Sequence, residues 1–217
     1  MNASHPGRES ALPPSTARIF GLSLRQAWWL LFALGCFPLA RWVVLGFTSG
    51  FGANPIEFLS RSTGTWTFVC LLVTLANTPL RVMLRQPMLI RLRRMCGLFT
   101  FFYACLHMLT YVWWDQWFSL YGILDDVVER PFIAFGMLAF LSLAALATTS
   151  TRGWMRRLGR NWTKLHRLIY AAGIFAVLHF WLHRAGKNDF FEVYIFGGVL
   201  AVLLGWRAVR WVRLRKR

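Results

Sequence analysis

The sequence predicts an all-α integral membrane protein, a bundle of six transmembrane helices with both termini on the same side. Of its 217 residues, 57% are hydrophobic and 17% are aromatic, and twelve are tryptophan. A soluble domain of this length carries less apolar surface. Several stretches of about 20 residues are also apolar and almost free of acidic residues, which is enough to cross a bilayer.

The predicted membrane segments are 27–47, 65–84, 95–114, 131–149, 165–183 and 190–210. They divide the chain into a flexible N-terminal tail (1–26), one transmembrane domain without a fixed-period repeat (27–210), and a basic C-terminal tail (211–217). The Gly-, Ser- and Pro-rich stretch 46–66 is expected to form a short outer lid. Pro79 is expected to weaken or kink the end of the second helix, and Pro131 to begin the fourth.

The charges are segregated along the chain. Most of the 25 basic residues lie in the N-terminal tail or in the segments 81–94, 152–167 and 207–217. Nearly all of the eight acidic residues lie in the alternate loops. This positive-inside bias predicts that both termini are cytoplasmic. The net charge of +17 therefore indicates membrane topology and contact with lipid, and not a nucleic-acid-binding surface.

Two histidines in the apolar segments carry the strongest functional signal. His107 and His179 lie near the outer ends of the third and fifth helices, which run in the same direction, so the two residues are within a turn of the same depth. An ionisable ring inside a membrane is expected to face a partner within the protein. Neutral imidazoles on opposite faces of a porphyrin give six-coordinate iron suited to electron transfer. The sequence therefore predicts His107 and His179 as the axial ligands of an outer haem.

Two further candidate residues, His166 and Arg93, lie on the predicted inner side of the membrane. His166 precedes His179 by 13 residues, a rise of about 20 Å, and an ideal helix leaves their rings about 140° apart. A second cofactor there needs a different tilt or a locally overwound helix. Arg93 lies 14 residues before His107 on nearly the same stripe. Arginine stays protonated and is no ordinary iron ligand, but it pairs well with haem propionates or a flavin phosphate.

Three interpretations of this inner site stay open. It could hold a second haem between His166 and an unusual partner, it could hold a flavin or a quinone, or it could hold no cofactor. In the last case the arginines at 91, 93 and 94 would anchor the third helix to lipid.

Known catalytic and cofactor motifs are missing from the sequence. It has no CxxC, CxxCH, HExxH, Walker loop or GxGxxG. No catalytic residue is therefore assigned, and the electrons must come from a separate donor. A ferric or other metal reductase is the alternative within the same class. A proton-relay transporter is the alternative from a different class, in which buried histidines carry protons.

Four segments carry a family resemblance: GANPIEFLSRSTG, QPMLIRLRRMCGLFTFFYACLHMLTY, TSTRGWMRRLGRNWTKLHRLIY and AVLHF. They resemble the MsrQ (YedZ) family, the haem-binding membrane subunits of the bacterial periplasmic methionine sulfoxide reductase system. This family belongs to the ferric-reductase-like transmembrane superfamily. His107, His166 and His179 stand at the family's histidine positions, and Arg93 stands where two-haem relatives have histidine.

The resemblance implies an electron-transfer subunit in the bacterial inner membrane. It implies haem b and FMN as cofactors, and the quinone pool or a cytosolic flavin reductase as electron donor. The implied acceptor is a periplasmic molybdopterin-containing subunit of the MsrP type, which repairs oxidised methionine in proteins. The chain would then be the electron-transfer subunit of a two-component reductase and not its catalytic subunit.

Overall fold

The structure, a computed structural model, describes residues 18–186 and 188–215. Residues 1–17, most of the expected N-terminal tail, and residues 216–217 lie outside this description. Within the described ranges, six helical spans are long and apolar enough to cross a membrane: Leu24–Phe47, Pro55–Met83, Pro87–Asp115, Pro131–Thr148, Arg160–Ala185 and Phe191–Arg215. The predicted six-helix membrane bundle is confirmed.

The elements follow one another along the chain as a short hairpin and nine α-helices within the described residues. The hairpin pairs β1 (Arg18–Ile19) with β2 (Leu22–Ser23), and the helices are α1 (Leu24–Phe47), α2 (Pro55–Met83), α3 (Arg93–Thr110), α4 (Leu120–Glu129), α5 (Pro131–Thr148), α6 (Arg152–Leu158), α7 (Arg160–Leu165), α8 (Leu168–Ala185) and α9 (Phe191–Arg215). A 3₁₀ turn (Pro87–Leu92) leads into α3, and a π-helical turn (Tyr111–Asp115) extends it.

The start of α2 corrects the expected outer lid. Asn54 accepts a hydrogen bond from the backbone N–H of Glu57 at 3.1 Å, and Pro55 occupies the first helical position. This is a helix N-terminus, in which proline loses nothing because its missing N–H would be unpaired anyway. The composition of the stretch 46–66 predicts a loop, but its second half is helical and extends α2 outward by ten residues. Pro131 begins α5 as predicted.

Two helical hairpins form the centre of the bundle. α2 packs along α3, and α5 packs along α8, while α9 contacts both α2 and α8. Their shared core consists of buried Phe68, Leu71, Leu72, Leu75, Ala104, Leu143, Leu146, Ile169, Ala172 and Leu200. The first helix stands at the edge of this core, and few of its side chains are buried.

Helix α1 is attached to α3 at one close contact. A Cβ atom at Gly35 would lie 2.5 Å from the ring of Phe99, so only glycine allows this approach. The fully buried Tyr103 donates its hydroxyl hydrogen to the carbonyl of Gly35 at 2.5 Å. Because Pro38 lies three residues further along α1, the backbone hydrogen bonds of this turn are weakened and an external donor is useful.

A related contact occurs at Pro79, beyond which α2 continues to Met83. Proline has no N–H to donate to the carbonyl of Leu75, four residues earlier. Arg207 of α9 supplies the donor: its Nη2 binds the Leu75 carbonyl and its Nη1 binds the Leu203 carbonyl at 2.9 Å. Since an unsatisfied backbone group in hydrocarbon is costly, this bond ties α9 to α2.

We expect a double-mutant cycle to reveal this coupling. Arg207→Leu leaves the Leu75 carbonyl unpaired and should lower the free energy of unfolding by about 1–3 kcal/mol. Pro79→Ala restores the missing N–H, so Arg207→Leu should be less destabilising in that background. Unfolding of the detergent-solubilised chain measures the effect of Arg207→Leu in the parent and in the Pro79→Ala background. Arg213→Leu, on an exposed turn of α9, is the control. An equal loss of unfolding free energy in the two backgrounds would contradict the assigned role of Arg207 as the donor to the Leu75 carbonyl.

Candidate functional site

One cavity lies between the two central hairpins. Its walls come from α2 and α3 on one side and from α5 and α8 on the other, with α9 closing one edge. Most of the lining is apolar, including Phe68, Leu71, Phe140 and Leu143. Three histidines of the described chain line the cavity: His107, His179, and His183, whose side chain is more exposed. The cavity therefore combines a hydrophobic slot with a small number of polar groups, as cofactor sites commonly do.

His107 is held by the backbone of α2. Its Nδ1 lies 3.0 Å from the carbonyl oxygen of Ser60 and 3.3 Å from the hydroxyl oxygen of Thr63. A carbonyl can only accept, so the hydrogen-bond network assigns the proton to Nδ1 of His107. Nε2 is then left as an unprotonated nitrogen that can bind a metal ion.

His179 is held in the same way by the backbone of α5. Its Nδ1 lies 2.7 Å from the carbonyl oxygen of Phe132. The same assignment follows, with the proton on Nδ1 and a lone pair on Nε2. A hydrogen bond from the remote nitrogen of a ligating histidine fixes both its tautomer and its ring orientation.

The two rings face each other across a distance that suits one shared metal ion. Their centroids are 6.1 Å apart and their planes cross at 77°. Because an imidazole nitrogen binds a transition metal at about 2 Å, two rings on opposite sides of one ion have centroids roughly 6 Å apart. The structure thus brings together the pair that the sequence placed at equal depth.

This pair does not suit a bare metal ion. Among residues 18–186 and 188–215, no group of three or more His, Cys, Asp or Glu side chains could hold one. A haem fits better, because the porphyrin supplies the other four nitrogens and needs only two axial ligands and an apolar slot. The residues present therefore fit a six-coordinate haem.

A glycine lies directly against each imidazole. A Cβ atom at Gly64 would come within 3.1 Å of the His107 ring, and one at Gly136 within 2.7 Å of the Nδ1 of His179. Neither glycine has a positive φ, so close approach and not backbone freedom explains them. Sequence inspection missed both residues, because glycine is common in transmembrane helices and does not by itself indicate a site.

The two halves of the cavity correspond to each other residue by residue. Ser60, Gly64 and His107 are each followed 72 positions later by Phe132, Gly136 and His179, in the same roles. Further lining residues repeat this offset: Phe68 with Phe140, Leu71 with Leu143, Ala104 with Ala176, Met108 with Phe180, and Tyr111 with His183. The sequence predicted no fixed-period repeat, yet the α2–α3 and α5–α8 hairpins are equivalent in their structure.

Charged side chains surround one end of the cavity, beside the C-terminus of α8. Arg184 is buried and forms ion pairs with Asp189 at 2.8 Å and Glu192 at 2.6 Å. Arg61 also borders the cavity and lies 3.6 Å from Glu57. These two arginines were not predicted from the sequence, although basic side chains at the mouth of a porphyrin slot are the expected partners of propionates.

A second polar cluster at this end fixes α4 against the cavity rim. The carboxylate of buried Asp126 accepts hydrogen bonds from Tyr111 at 3.0 Å and Gln116 at 2.5 Å, and it pairs with Arg130 at 3.2 Å. Tyr111 itself lines the cavity. The acidic loop that the sequence assigned to the outer side therefore lies next to the opening.

His166 lies outside this cavity, at the junction between α7 and α8. Two tight backbone bonds cross the junction, from the Arg167 N–H to the Lys164 carbonyl at 3.1 Å and from the Tyr170 N–H to the Arg167 carbonyl at 3.0 Å. These i→i+3 bonds overwind the chain locally, because a 3₁₀ step turns by about 120° and an α-helical step by about 100°. The overwinding brings His166 closer to the helix face of His179 than an ideal α-helix would. The His166 ring stacks on Trp162 at 3.9 Å.

Arg93 differs from the arginines on either side of it. It is half-buried, whereas Arg91 and Arg94 are exposed. Arg93 also lies within electrostatic range of both His166 and Arg207. The interpretation in which all three arginines only contact lipid therefore fits Arg91 and Arg94 better than Arg93.

Comparison with known proteins agrees with this architecture. Residues 63–177 match the family described as ferric reductase like transmembrane component, a range that begins in α2 and ends in α8. A protein of Bordetella pertussis named protein-methionine-sulfoxide reductase heme-binding subunit MsrQ is 56% identical over 202 residues, which cover 93% of this chain and 96% of that protein. The chain belongs to the MsrQ family.

Other members of the MsrQ family carry the same name. Those of Ralstonia nicotianae and Xanthomonas campestris pv. campestris are each 50% identical, over 94% and 76% of this chain and 90% and 74% of their own lengths. The resemblance expected from the four sequence segments is confirmed. The chain is thus a multi-pass membrane protein of this family.

Proposed function

We propose that the chain binds a b-type haem between His107 and His179 and transfers electrons across the membrane to a methionine sulfoxide reductase. The observation that carries the proposal is the facing pair of imidazoles, 6.1 Å apart and each tied to a backbone carbonyl through Nδ1. The names of the MsrQ relatives, which describe haem-binding subunits of such a system, support it.

The residues of the site suit outer-sphere electron transfer. Haem iron supplies a one-electron couple when it is bound. His107 and His179 would hold the haem iron through their Nε2 atoms, and the bound haem would supply electron transfer without binding a substrate. The apolar walls from α2 and α5 exclude water, and the backbone carbonyls keep each imidazole in a single tautomer and orientation. Arg61 at the mouth would pair with a propionate, whereas the charge of Arg184 is already balanced by Asp189 and Glu192.

The direction of transfer follows from the charges on the two sides. With the basic segments inside, both termini are cytoplasmic and the cavity opens toward the periplasm. The proposed donor is the quinone pool or a cytosolic flavin reductase, with FMN as an additional cofactor. The proposed acceptor is a molybdopterin subunit of the MsrP type, which would dock over the acidic rim near Asp126.

The match to the ferric reductase like family supports one alternative function, that of a metal reductase. A metal reductase would pass electrons to a diffusible ferric chelate without a protein partner. Reoxidation of the chemically reduced chain separates the two functions: rapid reoxidation by methionine sulfoxide only when the molybdopterin subunit is added supports the proposal, and equally rapid reoxidation by a ferric chelate alone supports the alternative.

Substitution of either axial histidine should abolish the haem signal of the outer site. The purified chain is expected to show the Soret and α bands of low-spin b-haem on reduction, and His107→Ala or His179→Ala should each remove them, because one imidazole cannot maintain six-coordination. Leu182→Ala, an exposed position on the same helix outside the cavity lining, is the control and should keep them. Loss of the signal in His166→Ala but not in His107→Ala would show that the pairing is wrong.

The inner site should be independent of the outer pair. We propose that His166 and Arg93 contribute to a separate cofactor site, since the overwound junction turns His166 toward the helix face of His179 and Arg93 is half-buried nearby. His166→Ala and Arg93→Leu should therefore leave the outer low-spin spectrum intact while lowering the iron or flavin content per chain. Unchanged iron and flavin content in both variants would count against an inner cofactor.

Fusions can test the proposed topology. Alkaline phosphatase inserted after Glu129 should be active, because that loop is expected in the periplasm, and a fluorescent protein fused after Arg217 should fluoresce in the cytoplasm. An active phosphatase at the C-terminus would reverse the assignment.

A further inference from the structure

We propose that Gly64 and Gly136 are positioning residues that expose one backbone carbonyl each to an axial histidine. Through these carbonyls they would hold the two imidazole planes crossed and tune the reduction potential of the iron between them. The inference rests on the proposed haem. It concerns two residues that neither the sequence patterns nor the names of the relatives point to.

Helix geometry explains why a glycine is needed at these positions. The Cα–Cβ bond of a helical residue tilts toward the N-terminus, so a side chain covers the turn that precedes it. The residue four positions after a carbonyl therefore shields that carbonyl from neighbouring helices. Gly64 stands four positions after Ser60, and Gly136 stands four after Phe132. Without a Cβ atom at these sites, an imidazole can reach the second lone pair of the carbonyl.

The observed distances agree with this role. His107 and His179 approach the two exposed carbonyls to 3.0 and 2.7 Å. At the same time, the imidazoles lie so close to the glycines that a methyl group would collide at Gly136 and crowd the ring at Gly64. The identical arrangement in both hairpins, 72 residues apart, argues against chance. A hydrogen bond from Nδ1 increases the basicity of the ligating nitrogen, which stabilises ferric iron.

The Nδ1 hydrogen bonds of His107 and His179 differ in length and in number of acceptors. His179 has one short bond, whereas His107 shares its Nδ1 proton between Ser60 and the hydroxyl of buried Thr63. The residue that corresponds to Thr63 in the second half is Phe135, which offers no acceptor. A methyl group at position 136 would meet Nδ1 itself at 2.7 Å, and one at position 64 would meet Cε1 at 3.1 Å. The consequences of substitution should therefore be graded.

The test uses the full-length, haem-loaded chain in nanodiscs and compares Gly64→Ala and Gly136→Ala with Gly97→Ala. Gly97 lies on α3 with His107, and a Cβ atom there would make an ordinary contact 3.8 Å from Thr74. Haem content, the low-spin EPR spectrum and the midpoint potential are measured for each. The parent should give a strongly anisotropic low-spin signal with a large highest g value (gmax). Such a signal is typical of crossed imidazole planes, and the two rings cross at 77°.

Gly136→Ala should change gmax and raise the midpoint potential most, since the weakened Nδ1 bond stabilises ferric iron less. Gly64→Ala should shift both in the same direction by a smaller amount, and Gly97→Ala should match the parent. If Gly136→Ala no longer retains haem, Gly64→Ala decides the question, because it requires a displacement of only a few tenths of an ångström.

Unchanged gmax and potential in Gly64→Ala with full haem content would overturn the inference, as would an equal change in Gly97→Ala. Failure of the proposed function is a different result, since the parent chain itself would then lack the low-spin haem spectrum.

Discussion

A hydrogen bond between an imidazole N–H and a helix carbonyl sets the arrangement of this protein. In a bilayer each buried polar group must find its partner inside the protein. His107 and His179 find theirs on α2 and α5, the helices with which their own helices form hairpins. The bond therefore serves packing and the proposed chemistry together: it joins the two helices of each hairpin and leaves Nε2 unprotonated, as binding of the proposed haem iron requires. Each hairpin supplies the hydrogen-bond acceptor for its own histidine, so neither imidazole depends on the other for a partner.

The same requirement explains the less regular contacts in the bundle. Pro79 leaves the Leu75 carbonyl without its helical donor, and Arg207 of an adjacent helix replaces it. In the turn of α1 that contains Pro38, Tyr103 donates to the carbonyl of Gly35. Arg207 would be costly in hydrocarbon on its own, but two carbonyls and the ring of Tyr170 surround it. The positive charge of Arg207 inside the bundle thus compensates for a proline in a neighbouring helix.

Much of this could be predicted from the sequence, because hydrophobic length and histidine depth are properties of single helices. The six membrane spans follow from hydrophobic length, and the pairing of His107 with His179 follows from their equal depth. The start of α2 at Pro55 was missed because the same residues that cap a helix also populate loops. Gly64 and Gly136 were missed because their function depends on a neighbouring helix, and their offset of 72 residues becomes meaningful only when both histidines are seen to bind carbonyls.

The correspondence between the hairpins also limits what the inner site can be. Under the 72-residue offset, His166 corresponds to Arg94, and Arg93 corresponds to Leu165. Arg94 is exposed, so the symmetry of the outer cavity does not extend to the inner side. The symmetry ends where α7 and α8 meet in an overwound junction. The equivalent residues of the first hairpin, 94–98, belong to the regular helix α3. The inner cofactor proposed above would therefore be held asymmetrically, by His166 from one hairpin and by Arg93 from the other.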